Sequence, residues 1–330
     1  MSVIEENILA FLKINYRINP YFVTPSYNPT KVLNFLKAYF SALIFRKKGS
    51  LIIIQRVSSN FIYSNALKLL VKIRKTGTIY DLDDADYIDY SPKTIYYFIK
   101  NCSTVTVGSN ELVKNLSKIN RNTILNTSPT PNLNIVKRNK NSNLTIGWIG
   151  EFGGGHKESL LKYFFPSLKD LPFKVKLILL GVTVKSEYEF LINYFKSFEN
   201  ILLEMPQDID WNNEEDIQKR IATFDIGIAT LLDNELHRSK SAFKTKQYFN
   251  NGVPVLSSDL PENNFFITPG KNGFLCKTPF DFKQRVIEIH KMNRDSYTNL
   301  SKNARQSIHK FDLSQYCQEL IKIYNKDQDK

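Results

Sequence analysis

The stretch RSKSAFKTKQYFNNGVPVL, residues 238–256, contains the pattern that decides the fold of this chain. Two lysines four positions apart, Lys240 and Lys244, precede a glycine, a proline and a short apolar segment. A helix with Lys240 in its first turn would present backbone N–H groups and the positive end of its dipole to an anion, and Lys244 would extend that face. Gln247 lies near the same face, so a ligand with phosphate at one end and hydroxyls at the other could span these side chains.

The residues that follow predict where this helix ends. Asn251 and Gly252 are typical of a helix C-terminus, and Pro254 opens Val255-Leu256-Ser257 as the next strand. The alternative to a phosphate site is a basic amphipathic helix whose lysines are solvated.

Outside this stretch, apolar strands alternate with amphipathic helices, which predicts an α/β protein with doubly wound parallel sheets. Residues 126–143 contain six asparagines and no apolar periodicity, so they predict a linker between domains 1–135 and 136–330, the first on the acceptor side and the second nucleotide-binding. The final helix is a candidate to pack back on the first domain. A ligand would then bind in the interdomain cleft, at the carboxyl ends of the strands. The predicted strands are Leu51–Gln55, Thr78–Leu82, Thr104–Val107, Thr123–Leu125, Leu144–Ile149, Val175–Leu180, Ile201–Glu204, Ile226–Thr230 and Val253–Ser257.

The 238–256 stretch resembles the nucleotide-binding segment of GT-B glycosyltransferases of the family 4 and group 1-like type. Their pattern runs GK-x-x-FK-x-x-x-Y-M-A-x-G-x-P-V-V-A-S, and the likeness continues through a G-x-N-G-F hairpin at 270–274. Further similarity lies in Gln55-Arg56, in the Tyr-Asp-Leu-Asp-Asp run at 80–84, in 105–109, in 146–150 and in 224–228. The resemblance implies GT-B architecture, with two Rossmann-like domains and a nucleotide-diphosphate-sugar donor of the UDP or GDP type.

A glycine loop at 150–157 follows one predicted strand and precedes a helix, so its backbone N–H groups could approach a phosphate. Gly153, Gly154, His156 and Lys157 are its candidate donor contacts, and Lys157 matches a family lysine that faces the diphosphate. Glu151 stands where the family has an arginine, so either it points away or Lys240 and Lys244 supply the charge. The alternative is a flexible turn.

Two further positions depart from the family pattern. Many members have two glutamates eight positions apart, one toward the transferred sugar and one toward the ribose, and here Ser239 and Gln247 occupy those places. Glutamine can still hydrogen-bond ribose hydroxyls.

Three carboxylates, Asp81, Asp83 and Asp84, are the candidate catalytic residues because they close a predicted strand in a half-chain without histidine. One of them could accept the proton of the acceptor hydroxyl or stabilise the oxocarbenium-like transition state of glycosyl transfer. Such a run could also bind Mg²⁺, although a metal-free site is favoured. His237 could contact phosphate or sugar, but a lone surface histidine is the favoured interpretation.

Composition agrees with a globular enzyme. The chain of 330 residues is 42% hydrophobic and 23% charged, its net charge is +13, and its three cysteines have no metal-ligand spacing. No apolar run is long enough for a membrane span and the N-terminus is unlike a signal peptide, so a cytoplasmic location is expected. The lysines are dispersed and no nucleic-acid motif appears, so no nucleic-acid partner is expected.

A basic amphipathic helix is expected within residues 27–48. Leu33, Leu36, Phe40, Leu43 and Ile44 share one face, and Arg46-Lys47-Lys48 follows. This face could contact the inner face of an anionic membrane, but packing against a sheet is favoured.

These features together predict a glycosyltransferase that moves a sugar from a nucleotide-sugar to a hydroxyl of a glycan or lipid-linked acceptor, in polysaccharide synthesis and without a further cofactor. Retention of anomeric configuration is implied by the family resemblance. The alternatives are a nucleotide-sugar epimerase of the same fold and a non-catalytic GT-B scaffold of a glycan-assembly complex.

Overall fold

A computed structural model describes residues 28–44, 51–55, 61–74, 76–131, 133–137, 139–308 and 311–328. The predicted basic residues Arg46, Lys47 and Lys48 and the family-like Arg56 lie outside these ranges. Within them, no helix is both long and apolar enough to cross a lipid bilayer.

The described residues form two compact units. The N-terminal unit extends to Pro129 and also includes Ser239–Ser241 and the residues from Leu313 onward, whereas the C-terminal unit comprises Thr130–Arg238 and Ala242–Asp312. The domain limits 1–135 and 136–330 stay a prediction.

The elements up to Pro129 alternate between helix and strand. They are α1 (Pro29–Ile44), β1 (Ile52–Gln55), α2 (Phe61–Ile73), β2 (Thr78–Leu82), α3 (Pro92–Asn101), β3 (Thr104–Val107), α4 (Asn110–Leu116) and β4 (Thr123–Leu125).

The C-terminal unit continues the alternation. Its elements are β5 (Leu144–Ile149), α5 (Gly154–Ser159, continued by a π-turn and a 3₁₀-turn to Leu168), β6 (Val175–Leu180), α6 (Lys185–Phe195), β7 (Ile201–Glu204), α7 (Glu214–Ile221), β8 (Ile226–Ala229), α8 (Glu235–Arg238), α9 (Phe243–Asn250), β9 (Val255–Ser258), α10 (Pro261–Phe266), β10 (Gly273–Cys276), α11 (Pro279–Lys291) and α12 (Arg294–Ser307). The last helix of the chain, α13 (Leu313–Gln328), belongs to the N-terminal unit.

Each unit contains one parallel sheet. The strand order is β1-β2-β3-β4 in the N-terminal unit and β10-β9-β8-β5-β6-β7 in the C-terminal unit, and every pairing between these strands is parallel. The predicted α/β class with doubly wound parallel sheets is therefore confirmed. Strands β5 and β8 are buried along their whole length, which agrees with their largely apolar sequences LTIGWI and IGIA.

Helices cover both faces of β2. On one face the Tyr80 ring stacks on Phe98 of α3 at 5.5 Å between centroids. On the other, Ile79 packs with Leu320 and Ile323 of α13. Asp81 follows Ile79 on the α13 side because side chains alternate along a strand.

The helix α1 uses a different face from the one that we expected to pack. Phe35 is buried against Tyr63 of α2, with ring centroids 4.6 Å apart. Leu33, Leu36 and Phe40 are instead 52%, 40% and 50% exposed. The prediction that these three residues pack in a core is therefore wrong. Helix α1 contacts α2 through a different face, which carries Phe35.

The expected hairpin at residues 270–274 is also wrong. Gly270 has φ +76° and makes the turn, but the following strand β10 pairs parallel with β9 rather than folding back. Close approach explains the glycine at 273, because a Cβ there would lie 2.6 Å from the Val255 carbonyl oxygen.

The predicted linker has no helix or long strand among its described residues, yet parts of it are anchored. The Lys137 ammonium lies 3.1 Å from the Asp225 carboxylate, and both side chains are buried. The Asn250 side-chain amide donates to the Pro131 carbonyl at 2.9 Å. A polar segment thus gains order through buried hydrogen bonds rather than through apolar periodicity.

Candidate functional site

The glycine loop begins where β5 ends. Gly150 has φ +151° and its N–H donates to the Leu180 carbonyl at 2.9 Å, so the chain leaves the sheet beside the end of β6. Gly153 is then the N-cap of α5, and the N–H groups of His156 and Lys157 donate back to its carbonyl. This strand, loop and helix arrangement is the one predicted from the sequence, and it places backbone dipoles at the carboxyl edge of the sheet.

Lys244 reaches into this loop from the first turn of α9. Its ammonium nitrogen lies 3.2 Å from His156 Nε2 and 5.9 Å from the centre of the buried Trp148 ring. A Cβ on Gly150 would lie 2.9 Å from Lys244 Cε and 3.3 Å from the same nitrogen, and the φ of +151° is one that residues with a side chain rarely adopt, so glycine suits the point where the lysine crosses the strand end. Because an ammonium can only donate, His156 accepts at Nε2 and its ring proton is assigned to Nδ1.

A second histidine lies against the first. The His237 ring is nearly parallel to that of His156, at 14° with centroids 6.5 Å apart. His237 is 6% exposed, and its Nδ1 accepts from the Leu232 N–H at 3.2 Å. A Cβ on Gly155 would come within 2.6 Å of the His237 ring, so the glycine admits it. The expectation of a lone surface histidine is therefore wrong.

Lys240 is not on the helix that carries Lys244, contrary to the predicted helical spacing. Helix α9 begins at Phe243, and its N-cap Ala242 has the left-handed φ of 52°. Lys240 lies in the short segment that belongs to the N-terminal unit, where its ammonium is 3.2 Å from the Asp84 carboxylate. Its neighbour Ser239 is buried, and the Ser239 carbonyl accepts from the Ser109 hydroxyl at 2.7 Å.

Of the other two predicted donor contacts, Lys157 has a local partner and Gln247 is buried. Lys157 forms an ion pair with Glu187 at 2.6 Å, and its nitrogen lies 4.5 Å from the Phe190 ring centre. Gln247 is 8% exposed within α9. Glu151, which stands in the position of a family arginine, is exposed. Of the predicted residues, the structure thus groups Lys244 and His156 at the glycine loop.

The three aspartates of the acidic run lie in the N-terminal unit and do not share partners. Asp81 accepts from the Gln55 amide at 2.8 Å and from the Thr106 hydroxyl at 2.5 Å, its neighbours across β1 and β3. Burial raises the pKa of Asp81, although these two hydrogen bonds oppose the shift. Among the described residues, no group of three His, Cys, Asp or Glu side chains is placed to hold a metal ion.

The other two aspartates have partners beyond the strand. Asp83 accepts from the Ser128 hydroxyl at 2.9 Å, and Asp84 pairs with Lys240. A Cβ on Gly108 would lie 2.5 Å from Asp83 Oδ1, so the turn after β3 must be glycine for this carboxylate to fit.

The sequence analysis did not identify the residues that support Lys244 at the glycine loop or Ser239 in the N-terminal unit. Trp148 is fully buried below the Lys244 ammonium. The Ser109 hydroxyl donates to the Ser239 carbonyl at 2.7 Å and also caps α4. A tryptophan in a strand is an ordinary core residue by pattern, so nothing in the sequence set Trp148 apart.

Comparison with known proteins identifies the architecture. No protein-family model and no curated protein matches the sequence. Solved structures do match, and they define the fold of this chain as that of the GT-B glycosyltransferases, with two Rossmann-like units.

Three of these structures cover nearly the whole chain. A glycosyltransferase from Rickettsia africae ESF-5 matches with a TM-score of 0.62 and 16% identity, over 97% of this chain and 87% of the other. Sucrose-phosphate synthase from Thermosynechococcus elongatus gives 0.66 and 13%, over 94% and 82%. HepE from Anabaena, in complex with UDP and glucose, gives 0.66 and 13%, over 96% and 89%.

Proposed function

We propose that the protein is a glycosyltransferase that moves a sugar from a nucleoside-diphosphate-sugar to a hydroxyl of a glycan or lipid-linked acceptor. The observation that carries this proposal is the Lys244 ammonium held over Gly150 and beside His156, at the carboxyl edge of a parallel sheet. A cation, a glycine loop and a helix N-terminus converge there, which is an arrangement suited to a diphosphate. The similarity in fold to HepE, which was solved with UDP and with UDP-glucose, supports the same class of donor.

Lys244 has a defined part in the proposed reaction. When the bond between the anomeric carbon and the β-phosphate oxygen breaks, negative charge grows on the leaving diphosphate. The ammonium and the α5 N-terminus stabilise that charge because they are already oriented before the reaction begins. His156, at 3.2 Å from the ammonium, fixes the direction of the lysine side chain.

A carboxylate of the acidic run is the proposed acid–base group. Asp83 is our choice because Asp81 already accepts two hydrogen bonds within the sheet and Asp84 is paired with Lys240. It would accept the proton of the acceptor hydroxyl as that oxygen attacks the anomeric carbon. We also propose that the anomeric configuration is retained, which requires the acceptor oxygen to attack on the face of the sugar from which the diphosphate leaves. Proton NMR of the first product formed can test this.

Nucleotide titration followed by a donor screen tests the proposed function. Calorimetry with UDP and GDP should show binding of one of them, and the matching nucleotide-sugar should release nucleoside diphosphate when acceptor is supplied. Binding of neither nucleotide would favour the non-catalytic scaffold. Interconversion of the nucleotide-sugar in the absence of any acceptor would favour the epimerase.

We further propose that an anionic membrane surface holds the protein near a lipid-linked acceptor. The support is the exposed apolar face of α1 formed by Leu33, Leu36 and Phe40, with the exposed Lys37 beside it. An amphipathic helix of this kind inserts its apolar face among lipid headgroups while its lysines attract anionic lipid.

A further inference from the structure

Trp211 is an exposed aromatic residue in the C-terminal unit, which also contains the glycine loop. It lies in the segment between β7 and α7, it is 43% exposed, and it is one of two tryptophans in the chain. The other, Trp148, is fully buried. The exposed face of the Trp211 ring is therefore accessible to a ligand.

The segment around Trp211 is held in place by hydrogen bonds. The Gln207 amide donates to the Val182 carbonyl at 3.1 Å, which ties the segment to the end of β6. Arg220 pairs with Asp208 at 3.2 Å, and the Asn213 side chain caps the first turn of α7. The indole therefore projects from an ordered backbone, as a preformed binding surface requires.

The indole lies beside the residue at which the phosphate loop begins. A Cβ on Gly181 would be 3.4 Å from Trp211 Cη2 and 1.9 Å from the Gly150 carbonyl oxygen. Gly181 adopts φ +109° and has no side chain, so the indole can approach the strand end closely. A Cβ built on Gly150 would lie 3.3 Å from the Lys244 ammonium nitrogen. A flat aromatic surface thus lies at Gly181 and a cation at Gly150, and these two glycines follow the neighbouring strands β6 and β5.

We propose that the Trp211 indole is the surface on which the base of the donor nucleotide stacks while Lys244 holds the diphosphate. This inference rests on the proposed function and deepens it by assigning the base contact. A nucleoside diphosphate has a flat aromatic group at one end and a charged group at the other, which matches an indole at Gly181 and an ammonium at the adjacent strand-end glycine Gly150. Stacking on an aromatic side chain tolerates any base, so it accommodates UDP and GDP alike.

The test compares a nucleotide with an anion that has no base. Calorimetry gives the Kd of UDP, GDP and inorganic pyrophosphate for the unaltered protein, for Trp211→Ala and for Trp211→Phe. Trp211→Ala should weaken the tighter nucleotide by about tenfold or more, since the loss of one base–aromatic stack is of that order. Its affinity for pyrophosphate should stay the same. Trp211→Phe keeps an aromatic face and should retain most of the nucleotide affinity.

Fluorescence supplies a second readout that does not depend on Trp211→Ala folding. Nucleotide should quench tryptophan emission of the unaltered protein, and most of that quenching should disappear in Trp211→Phe because the remaining Trp148 is buried. Unchanged quenching in Trp211→Phe would overturn the assignment, as would an equal loss of nucleotide and pyrophosphate affinity in Trp211→Ala. If the unaltered protein binds no nucleotide, the proposed function itself is contradicted. If it binds nucleotide and Trp211→Ala binds equally well, only the stacking role is wrong.

Discussion

Lys244 differs from the many surface lysines of this chain in its surroundings. It lies between Trp148, His156 and Gly150 rather than in solvent. A charge-assisted contact to phosphate in such a place contributes roughly 1.5–3 kcal/mol. Lys244→Ala should therefore weaken nucleotide binding by about tenfold or more in calorimetry while the melting temperature changes little. Lys185→Ala is the control, because that side chain is 91% exposed, and equal affinities of the two variants would contradict the assignment.

Asp83 is the residue on which the proposed chemistry depends. Loss of a general acid or base typically lowers rates by 10² to 10⁴, so Asp83→Asn should reduce turnover at least about a hundredfold. Nucleotide affinity should stay nearly unchanged, and Ser128→Ala, which removes the hydrogen bond to Oδ1 but keeps the carboxylate, should have a smaller effect. Asp84→Asn tests the neighbouring carboxylate in the same assay. Full turnover with a lower melting temperature in Asp83→Asn would instead identify a structural carboxylate.

Asp81 should make stability depend on pH in a direction that its surroundings determine. Burial raises its pKa above the ordinary 3.8, so the fold favours the neutral carboxyl. This contribution is fully present below pH 3.8 and is lost as the pH rises through the raised pKa. The melting temperature of Asp81→Asn should therefore increase relative to the unaltered protein as the pH rises from about 4 toward neutrality.

Asp208 provides a control of opposite sign. The hydrogen bond from Arg220 lowers its pKa, so its contribution is present above the ordinary value and is lost as the pH falls. Asp208→Asn should thus lose stability relative to the unaltered protein as the pH rises toward 3.8 from below, and the difference should then stay nearly constant up to neutrality. Parallel curves for the two variants would show that neither carboxyl carries the effect.

Among the elements, the junction of β5 and β6 is the most sensitive to a single methyl group. A Cβ at Gly181 would meet the Gly150 carbonyl oxygen at 1.9 Å, on a backbone with φ +109°. Gly181→Ala should lower the free energy of unfolding by more than about 2 kcal/mol. At Gly153, no heavy atom lies within 4 Å of the same position. Gly153→Ala should leave the urea midpoint nearly unchanged, and similar losses in the two variants would refute this explanation.

Most strands were predictable because they are short segments rich in apolar and β-branched residues. The bounds predicted for Thr78–Leu82 and Val175–Leu180 are those observed. The start of α9 was not predictable in the same way. Lys240 and Lys244 have helical spacing in the sequence, but Ala242 between them takes a left-handed conformation that alanine rarely adopts. The residues just before α9 have partners of their own, since Ser239 contacts Ser109 and Lys240 contacts Asp84.

At the scale of the whole molecule, the charge of +13 and the exposed face of α1 lead to one test. The protein should co-sediment with phosphatidylglycerol vesicles more than with phosphatidylcholine vesicles, and it should be released as salt rises. Phe40→Asp should reduce this binding without unfolding, because Phe40 is half exposed. Phe35→Asp is the contrasting variant and should lower the melting temperature, because Phe35 is buried. Equal co-sedimentation of Phe40→Asp and the unaltered protein with the anionic vesicles would contradict the membrane proposal.

The sequence by itself determined the α/β class, nearly every strand and the glycine loop, because these depend on residues that are neighbours along the chain. Apolar runs, helix caps and glycines determine structure over a few positions, so they can be recognised in the sequence without any knowledge of the fold. Tertiary structure alone decided which of the marked side chains meet. It brought Lys244 to His156 across 88 positions, paired Lys240 with Asp84, and left Leu33, Leu36 and Phe40 of α1 exposed. Such contacts join distant segments through packing geometry, for which no local pattern in the sequence exists.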